Sequence, residues 1–163
     1  MAASYHYQSS VLLVYSLGKA QRILAMLNPD QGPILIHGSI IPFLSMYRNS
    51  GISLPQTLTL NGPHLQEHQG RAVVLIPPGA YRGSLQQKLE PSQSALVSGW
   101  TLHKDPRQGI KADSGIPLSD HVDWPELLQT VEECQPEELW STHGFKEEVS
   151  AYFSAQGLKT RVV

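Results

Sequence analysis

Residues 11–27 read VLLVYSLGKAQRILAML, and two different hydrophobic patterns meet within them. The first five residues form an apolar run of strand length that contains β-branched side chains. The next apolar residues, Ala20, Ile23, Leu24 and Leu27, recur at the spacing of one helix face. This stretch therefore predicts a strand that is followed directly by a helix.

The same order recurs along the chain. Further strands are predicted at 33–37, 71–76, 95–97, 116–118, 139–141 and 159–163, and further helices at 40–47, 124–131 and 145–153. Residues 52–70 are rich in Pro, Gly, Asn and Gln and are predicted to be a loop, and residues 79–94 fit no single pattern. This alternation predicts an α/β fold with a mostly parallel sheet covered by helices on both faces.

The charges divide the chain into two parts. Residues 1–113 hold nine Lys and Arg against five Asp and Glu, whereas residues 114–163 hold three against nine. The polar stretch from His103 to Ser114 separates them, and we place a domain boundary between residues 113 and 114. This asymmetry is compatible with one surface that takes phosphates and another that faces solvent or a metal.

Size and composition limit the class of protein. With 163 residues, the chain has the length of one ordinary domain. Its apolar runs are strand-sized, and its first ten residues lack a signal-peptide pattern, so a cytoplasmic location without a membrane partner is expected. Cys134 lies beside Glu132 and Glu133, which disfavour a thiolate, so this cysteine is interpreted as structural or incidental.

The strand-to-helix turn at 15–22 is a candidate phosphate site. It carries the Ser16 hydroxyl, Gly18 and two cations, Lys19 and Arg22, at the start of a helix. Backbone N–H groups and the helix dipole favour an anion at such a position. The turn lacks the first glycine of a Walker loop, and an ordinary capped turn is an equal alternative.

Two histidines end strand-like runs and precede helical patterns: His121 in LSDHVDW (118–124) and His143 in STHG (141–144). Residues at that edge of an open α/β sheet are placed to bind ligands. The spacing of the two histidines, about one strand-helix-strand unit, predicts that they follow neighbouring strands and face one crevice. Metal ligation would need further ligands, for which Asp120 and Asp123 are candidates, whereas a lone histidine after a strand is more often a structural, hydrogen-bonded residue. His37 also ends a strand and is less easily assigned to the solvated surface.

Four strings occur in a fixed order: YSLGKAQRIL (15–24), SGW (98–100), LSDHVDWP (118–125) and THG (142–144). Together they resemble the β-CASP branch of the metallo-β-lactamase fold, and most closely its bacterial ligase-associated DNA damage response exonucleases. The resemblance runs from about Val11 over nearly the whole chain. It implies a β-CASP-like part at 1–113 and, at 114–163, the C-terminal strands and helices of a metallo-β-lactamase αββα domain.

The resemblance also implies an activity and a set of roles. The implied activity is hydrolysis of phosphodiester bonds in DNA by a two-metal centre of zinc or manganese. His121 would polarise the phosphate or protonate the leaving group, Asp120 would orient His121, and His143 would ligate one metal. The phosphate-binding residues would be Ser16, Gly18, Lys19, Arg22, Ser98 and Gly99.

The chain departs from that family in one respect. The H-x-H-x-D-H ligand string and the acidic first β-CASP motif, which belong to the family's N-terminal catalytic half, are not in this sequence. One imidazole cannot hold two metals, so this chain alone is expected to bind metal poorly and to hydrolyse little.

Two functional hypotheses follow from this departure. In the first, the chain is the C-terminal portion of a metal-dependent exonuclease of DNA repair that acts on single-stranded DNA or RNA. Its expected partners are then the missing N-terminal half and, by family association, an ATP-dependent DNA ligase and a helicase. In the second, the chain is a non-catalytic α/β module that binds a phosphate or a nucleic-acid backbone through Ser16, Lys19 and Arg22.

Overall fold

A parallel sheet with helices packed against it is built from about the first three-quarters of the chain. The computed structural model describes residues 8–102 and 112–163, and the chain divides after Asp120 into two compact units. The first unit contains β1 (Ser9–Leu13), α1 (Lys19–Met26), β2 (Ile34–Ile36), α2 (Ile41–Asn49), β3 (Leu58–Thr59), α3 (Gly62–His68), β4 (Val73–Ile76), α4 (Gly83–Leu89), β5 (Ser92–Val97) and β6 (Ser114–Ile116).

The six strands of the first unit are ordered β3-β2-β4-β1-β5-β6, and every neighbouring pair is parallel. The two hydrophobic clusters of the unit are centred on alternate strand residues, for example Val11 and Leu13 in one and Ile34 and Ile36 in the other. A parallel sheet requires such burial on both faces because its crossover helices cover both. The predicted α/β class and the mostly parallel sheet are confirmed.

The structure corrects one predicted loop, assigns elements to one segment that had no prediction, and places the division between the units later in the chain. Residues 52–70 are not only loop, because β3 and α3 lie within them, and Asn61 caps α3 by accepting the His64 N–H. Residues 79–94 contain α4 and the start of β5. The division into units follows Asp120 rather than residue 113, so β6 pairs with β5 and belongs to the first unit. The polar stretch at 103–111 lies outside the described residues.

The second unit is smaller and contains α5 (Trp124–Cys134), β7 (Glu138–Ser141), α6 (Lys146–Ala155) and β8 (Lys159–Val162). Its two strands pair in parallel. Asp123 accepts the Glu126 N–H at 2.9 Å and caps α5. Phe153 is buried and packs with the rings of Trp124 and Tyr152 to form the small aromatic core.

No helix in the described ranges is both long and apolar enough to cross a membrane.

Candidate functional site

The carboxyl edge of the six-stranded sheet has a topological switch point between β1 and β5. From β1 the chain crosses towards β2 on one side, and from β5 it crosses towards β6 on the other. Adjacent strands whose connections diverge leave a crevice at their carboxyl ends, where ligands of open α/β sheets bind. The residues after β1 are the predicted phosphate turn, and those after β5 are Ser98 and Gly99.

The turn after β1 is closed by its own backbone. Gly18 has φ 81° and ψ −75°, and no side chain caps α1. The N–H groups of Lys19 and Ala20 donate to the carbonyls of Leu17 and Tyr15. These two amides are therefore already paired, and the expectation of free N–H groups around Gly18 is wrong for them.

The two cations of the turn converge on one carboxylate. The Lys19 ammonium lies 3.5 Å from Oδ2 of Asp120, and the Arg22 guanidinium lies 3.7 Å from Oδ1. Arg22 also donates to the Ser119 carbonyl at 2.7 Å. The Lys19 side chain is 5% exposed, whereas that of Arg22 is 51% exposed, so Arg22 is the cation that can reach a ligand from solvent.

The segment that carries Asp120 also lies against the loop after β5. A Cβ atom added to Gly99 would be 3.0 Å from the Ser119 Cβ, so a larger residue at this position would require Ser119 to shift by a few tenths of an ångström. Ser98 is buried, its N–H donates to the Ile116 carbonyl, and its Oγ accepts the Trp100 N–H. Ser98 and Gly99 thus hold the loop after β5 against β6 and against the segment that carries Asp120.

Three polar residues outside the predicted site join this edge. Ser16 is hydrogen-bonded to Ser39 in the loop after β2, with 2.7 Å between the two Oγ atoms, and Ser39 Oγ lies 2.9 Å from His37 Nδ1. Gln21 is 1% exposed and donates to the Ser16 carbonyl from the core side. His37 ended a predicted strand, but no local pattern indicated that Ser39 or Gln21 would meet Ser16.

His121 and His143 both belong to the second unit and line one cavity of about 780 Å³. Thr142, Trp124, Trp140 and Phe145 are among the other lining residues. His143 has φ 59°, and its Nδ1 lies 2.8 Å from Thr142 Oγ1. The two histidines were expected after neighbouring strands, and this expectation is wrong, because β6 and β7 belong to different sheets.

These residues do not form the ligand set of a two-metal centre. In residues 8–102 and 112–163, no group of three or more His, Cys, Asp or Glu side chains is arranged to hold a metal ion. Asp120, assigned to orient His121, has its carboxylate at the two cations of α1. The roles of His121 and His143 in catalysis and metal binding stay predictions from the motifs.

Comparison with known proteins gives one informative relative. No protein-family model matches the chain, and no solved structure shows significant similarity. A curated protein named "Probable DNA ligase" from Opitutus terrae (strain DSM 11246 / JCM 15787 / PB90-1) is 29% identical over 149 residues. The alignment covers 91% of this chain but only 14% of the length of that protein.

This comparison corrects the enzyme class that the motifs implied. The motif resemblance implied a hydrolase, and more narrowly a nuclease and exonuclease, whereas the similar protein is named a ligase, which is neither. The classification as hydrolase and nuclease is therefore wrong on this finding.

Proposed function

We propose that the first unit is a non-catalytic module that binds the phosphodiester backbone of DNA at the carboxyl edge of its sheet. The observation that carries the proposal is the convergence of Lys19 and Arg22 on the Asp120 carboxylate. A carboxylate and a phosphate present oxygens of the same charge to a guanidinium. The crevice therefore already holds an oxyanion at the point where the motif resemblance placed phosphate.

DNA is favoured as the ligand by the relative. The similar protein is named a DNA ligase, and this chain matches a small fraction of its length. A module of that size within a larger DNA-joining protein would contribute affinity for the substrate rather than the chemical step. Phosphate contacts of this kind position a protein on nucleic acid without reading its sequence.

Binding should be weak and electrostatic. In the crevice between β1 and β5, the Arg22 guanidinium is half-exposed and the Lys19 ammonium is nearly buried, and both are partly neutralised by Asp120. Few phosphates can then be contacted, so the dissociation constant should fall in the non-specific range of about 10⁻⁴ to 10⁻⁶ M. Binding should depend on salt concentration and should be similar for different base sequences.

The experiment is a fluorescence-anisotropy titration of labelled single-stranded and duplex oligonucleotides at several low salt concentrations. Arg22→Ala should weaken binding by about three- to tenfold and reduce the salt slope by about one ion. Lys88→Ala is the matched control, because Lys88 is an exposed cation in the last turn of α4, at the amino edge of the sheet. Equal affinities and salt slopes in Arg22→Ala, Lys88→Ala and wild type would refute the proposal.

We also propose the finer fold assignment, in which the first unit is a β-CASP insert and the second is part of a metallo-β-lactamase domain. Its support is the order of the four motifs in the sequence, together with the parallel sheet of the first unit. An experimental structure of the Opitutus terrae relative, of which the match covers 14%, would test it. Strands from outside the matched region should then join the counterparts of β7 and β8 in one sheet, and a two-stranded sheet in that structure would contradict the assignment.

A further inference from the structure

The hydrogen-bonded chain of His37, Ser39 and Ser16 spans the carboxyl edge across the end of β4. Ser39 follows β2, Ser16 follows β1, and β4 lies between these strands. Ser39 is exposed, and His37 and Ser16 are half-buried. A ligand at this edge can therefore reach the chain from solvent.

The hydrogen bonds determine which of these three residues can donate a hydrogen bond to a ligand when His37 is neutral. The Ser39 backbone N–H donates to His37 Nδ1 at 3.2 Å, so Nδ1 carries no proton. The Ser39 hydroxyl must then donate to Nδ1 as well, and the Ser16 hydroxyl must donate to Ser39. Ser16 is left with lone pairs only, which repel an anion.

Protonation of His37 exchanges donor and acceptor in the two side-chain hydrogen bonds. Nδ1–H then donates to Ser39 Oγ, Ser39 donates to Ser16, and the Ser16 hydroxyl is free to donate outward. The Ser39 backbone N–H also loses its acceptor and becomes available. One added proton thus creates two hydrogen-bond donors and one positive charge at the edge.

We propose that His37, Ser39 and Ser16 form a proton-linked binding site for a phosphate oxygen, in which His37 takes up a proton as the anion binds. The inference rests on the proposed function, because it supplies donors for DNA phosphate on the edge that carries Arg22. A phosphodiester oxygen fits this site because it accepts hydrogen bonds and carries charge at every pH at which histidine titrates.

Other charges at this edge also influence anion binding and proton uptake by His37. In the described part of the first unit, the titratable or charged side chains in the loops and first helical turns after the strands are, besides His37, Tyr15, Lys19, Arg22, His64, Tyr81, Arg82, Asp113 and Asp120. Lys19 and Arg22 attract the anion and oppose a proton on His37, whereas Asp120 is engaged by both cations. Because all of these groups are shared by wild type and a His37 variant, a difference between the two proteins reports on His37.

The first test measures binding of a 5′-hydroxyl oligothymidylate, which has no group that titrates between about pH 6 and pH 8. From about pH 8 to pH 6 the wild-type affinity should rise by about three- to tenfold, since uptake of one proton allows up to about tenfold per pH unit. His37→Asn keeps an acceptor for Ser39 but cannot take up a proton, so its affinity should rise by a factor at least about twofold smaller than that of wild type over the same pH range. Thermal unfolding of both proteins at each pH checks that the variant is folded.

The second test needs no nucleic acid. Sulfate stays a dianion over this pH range, so NMR titration of the His37 ring with and without sulfate measures the linkage directly. Sulfate should move the midpoint of the His37 titration to higher pH in wild type, and Ser16→Ala should reduce that shift.

The outcomes separate the two proposals. Oligonucleotide binding with the same pH dependence in wild type and His37→Asn would overturn this inference and leave the proposed function standing. Absence of oligonucleotide binding in wild type would overturn the proposed function, and the sulfate titration would then decide this inference. A His37 midpoint that sulfate leaves unchanged would refute the proton-linked site.

Discussion

Lys19 and Asp120 form an ion pair at 3.5 Å between the turn after β1 and the last residue of the first unit. The lysine side chain is 5% exposed and the aspartate side chain 36% exposed. A nearly buried ammonium is costly unless an acceptor compensates it. Asp120 therefore stabilises the crevice and, under the proposed function, lies where a phosphate oxygen would bind.

Asp120→Asn should have opposite effects on stability and on DNA binding. The unfolding free energy of the first unit should fall by about 1–3 kcal/mol, because Lys19 loses its charged partner at a partly exposed site. Affinity for single-stranded DNA should rise by about two- to fivefold, because the two cations no longer face an internal anion. Amide hydrogen exchange in β1 and β5 and anisotropy titration measure the two effects.

Asp30→Asn is the control for this prediction, since it removes the same charge from an exposed residue of the same unit. It should leave stability within about 0.5 kcal/mol of wild type. If Asp120→Asn weakened DNA binding while the protein stayed folded, Asp120 would not compete with phosphate for the cations.

The sequence predicted the parallel sheet because its strands and helices follow each other with clear periodicity. It also located the turn at Ser16–Arg22, since a strand, a glycine and a helix are local signals. The pairing of Lys19 with Asp120 was not predictable, because it depends on the pairing of β6 with β5, which are both distant in sequence from Lys19. Short elements such as β3 were missed because two residues carry no period.

The histidine motifs show a different limit of sequence analysis. Their spacing correctly placed His121 and His143 near a common cavity. It did not show that β6 would join the first sheet and β7 the second, because both strands are short apolar runs with the same local pattern. Spacing along the chain indicates that two residues can meet, whereas strand pairing decides which elements hold them.

Gly99→Ala should destabilise the crevice. Its new methyl group would lie 3.0 Å from the Ser119 Cβ and 3.3 Å from its Oγ, so the segment before Asp120 would have to move. We expect a loss of about 1–2 kcal/mol in unfolding free energy. Gly79→Ala is the control, because its methyl group would meet nothing within 4 Å. Equal hydrogen exchange of the β5 amides in both variants would show that Ser119 moves aside without loss of stability.

Asp113 should make the first unit sensitive to acid. The backbone N–H of Ser94, and then its hydroxyl, donate to this carboxylate at 2.7 Å and lower the Asp113 pKa from its usual value of 3.8. A pKa lowered by folding stabilises the protein above the unfolded pKa, and this stabilisation is lost as the pH falls through the folded value. Wild type should therefore lose stability below about pH 4 more steeply than Asp113→Asn.

Urea unfolding at a series of pH values, with Asp30→Asn as the reference for general acid effects, measures this contribution. At neutral pH, Asp113→Asn should be the less stable protein, since it retains an acceptor for Ser94 but not the charge. If the unfolding free energies of wild type and Asp113→Asn fell equally steeply with decreasing pH, the Ser94 hydrogen bonds would contribute equally to both protonation states.

The second unit should depend on one aromatic side chain. Phe153 is 4% exposed, and its ring lies 5.2 Å from that of Tyr152 and 6.2 Å from that of Trp124. Because Phe153 is the one buried apolar residue in the described part of this unit, Phe153→Ala should cost about 3–5 kcal/mol and unfold α5 and α6. Phe145→Ala removes the same ring from a residue that is 70% exposed and should cost less than about 1 kcal/mol.

Hydrogen exchange of the α6 amides, read separately from those of β1, distinguishes the units. Retained protection of α6 in Phe153→Ala would show that contacts other than this aromatic core hold the second unit together.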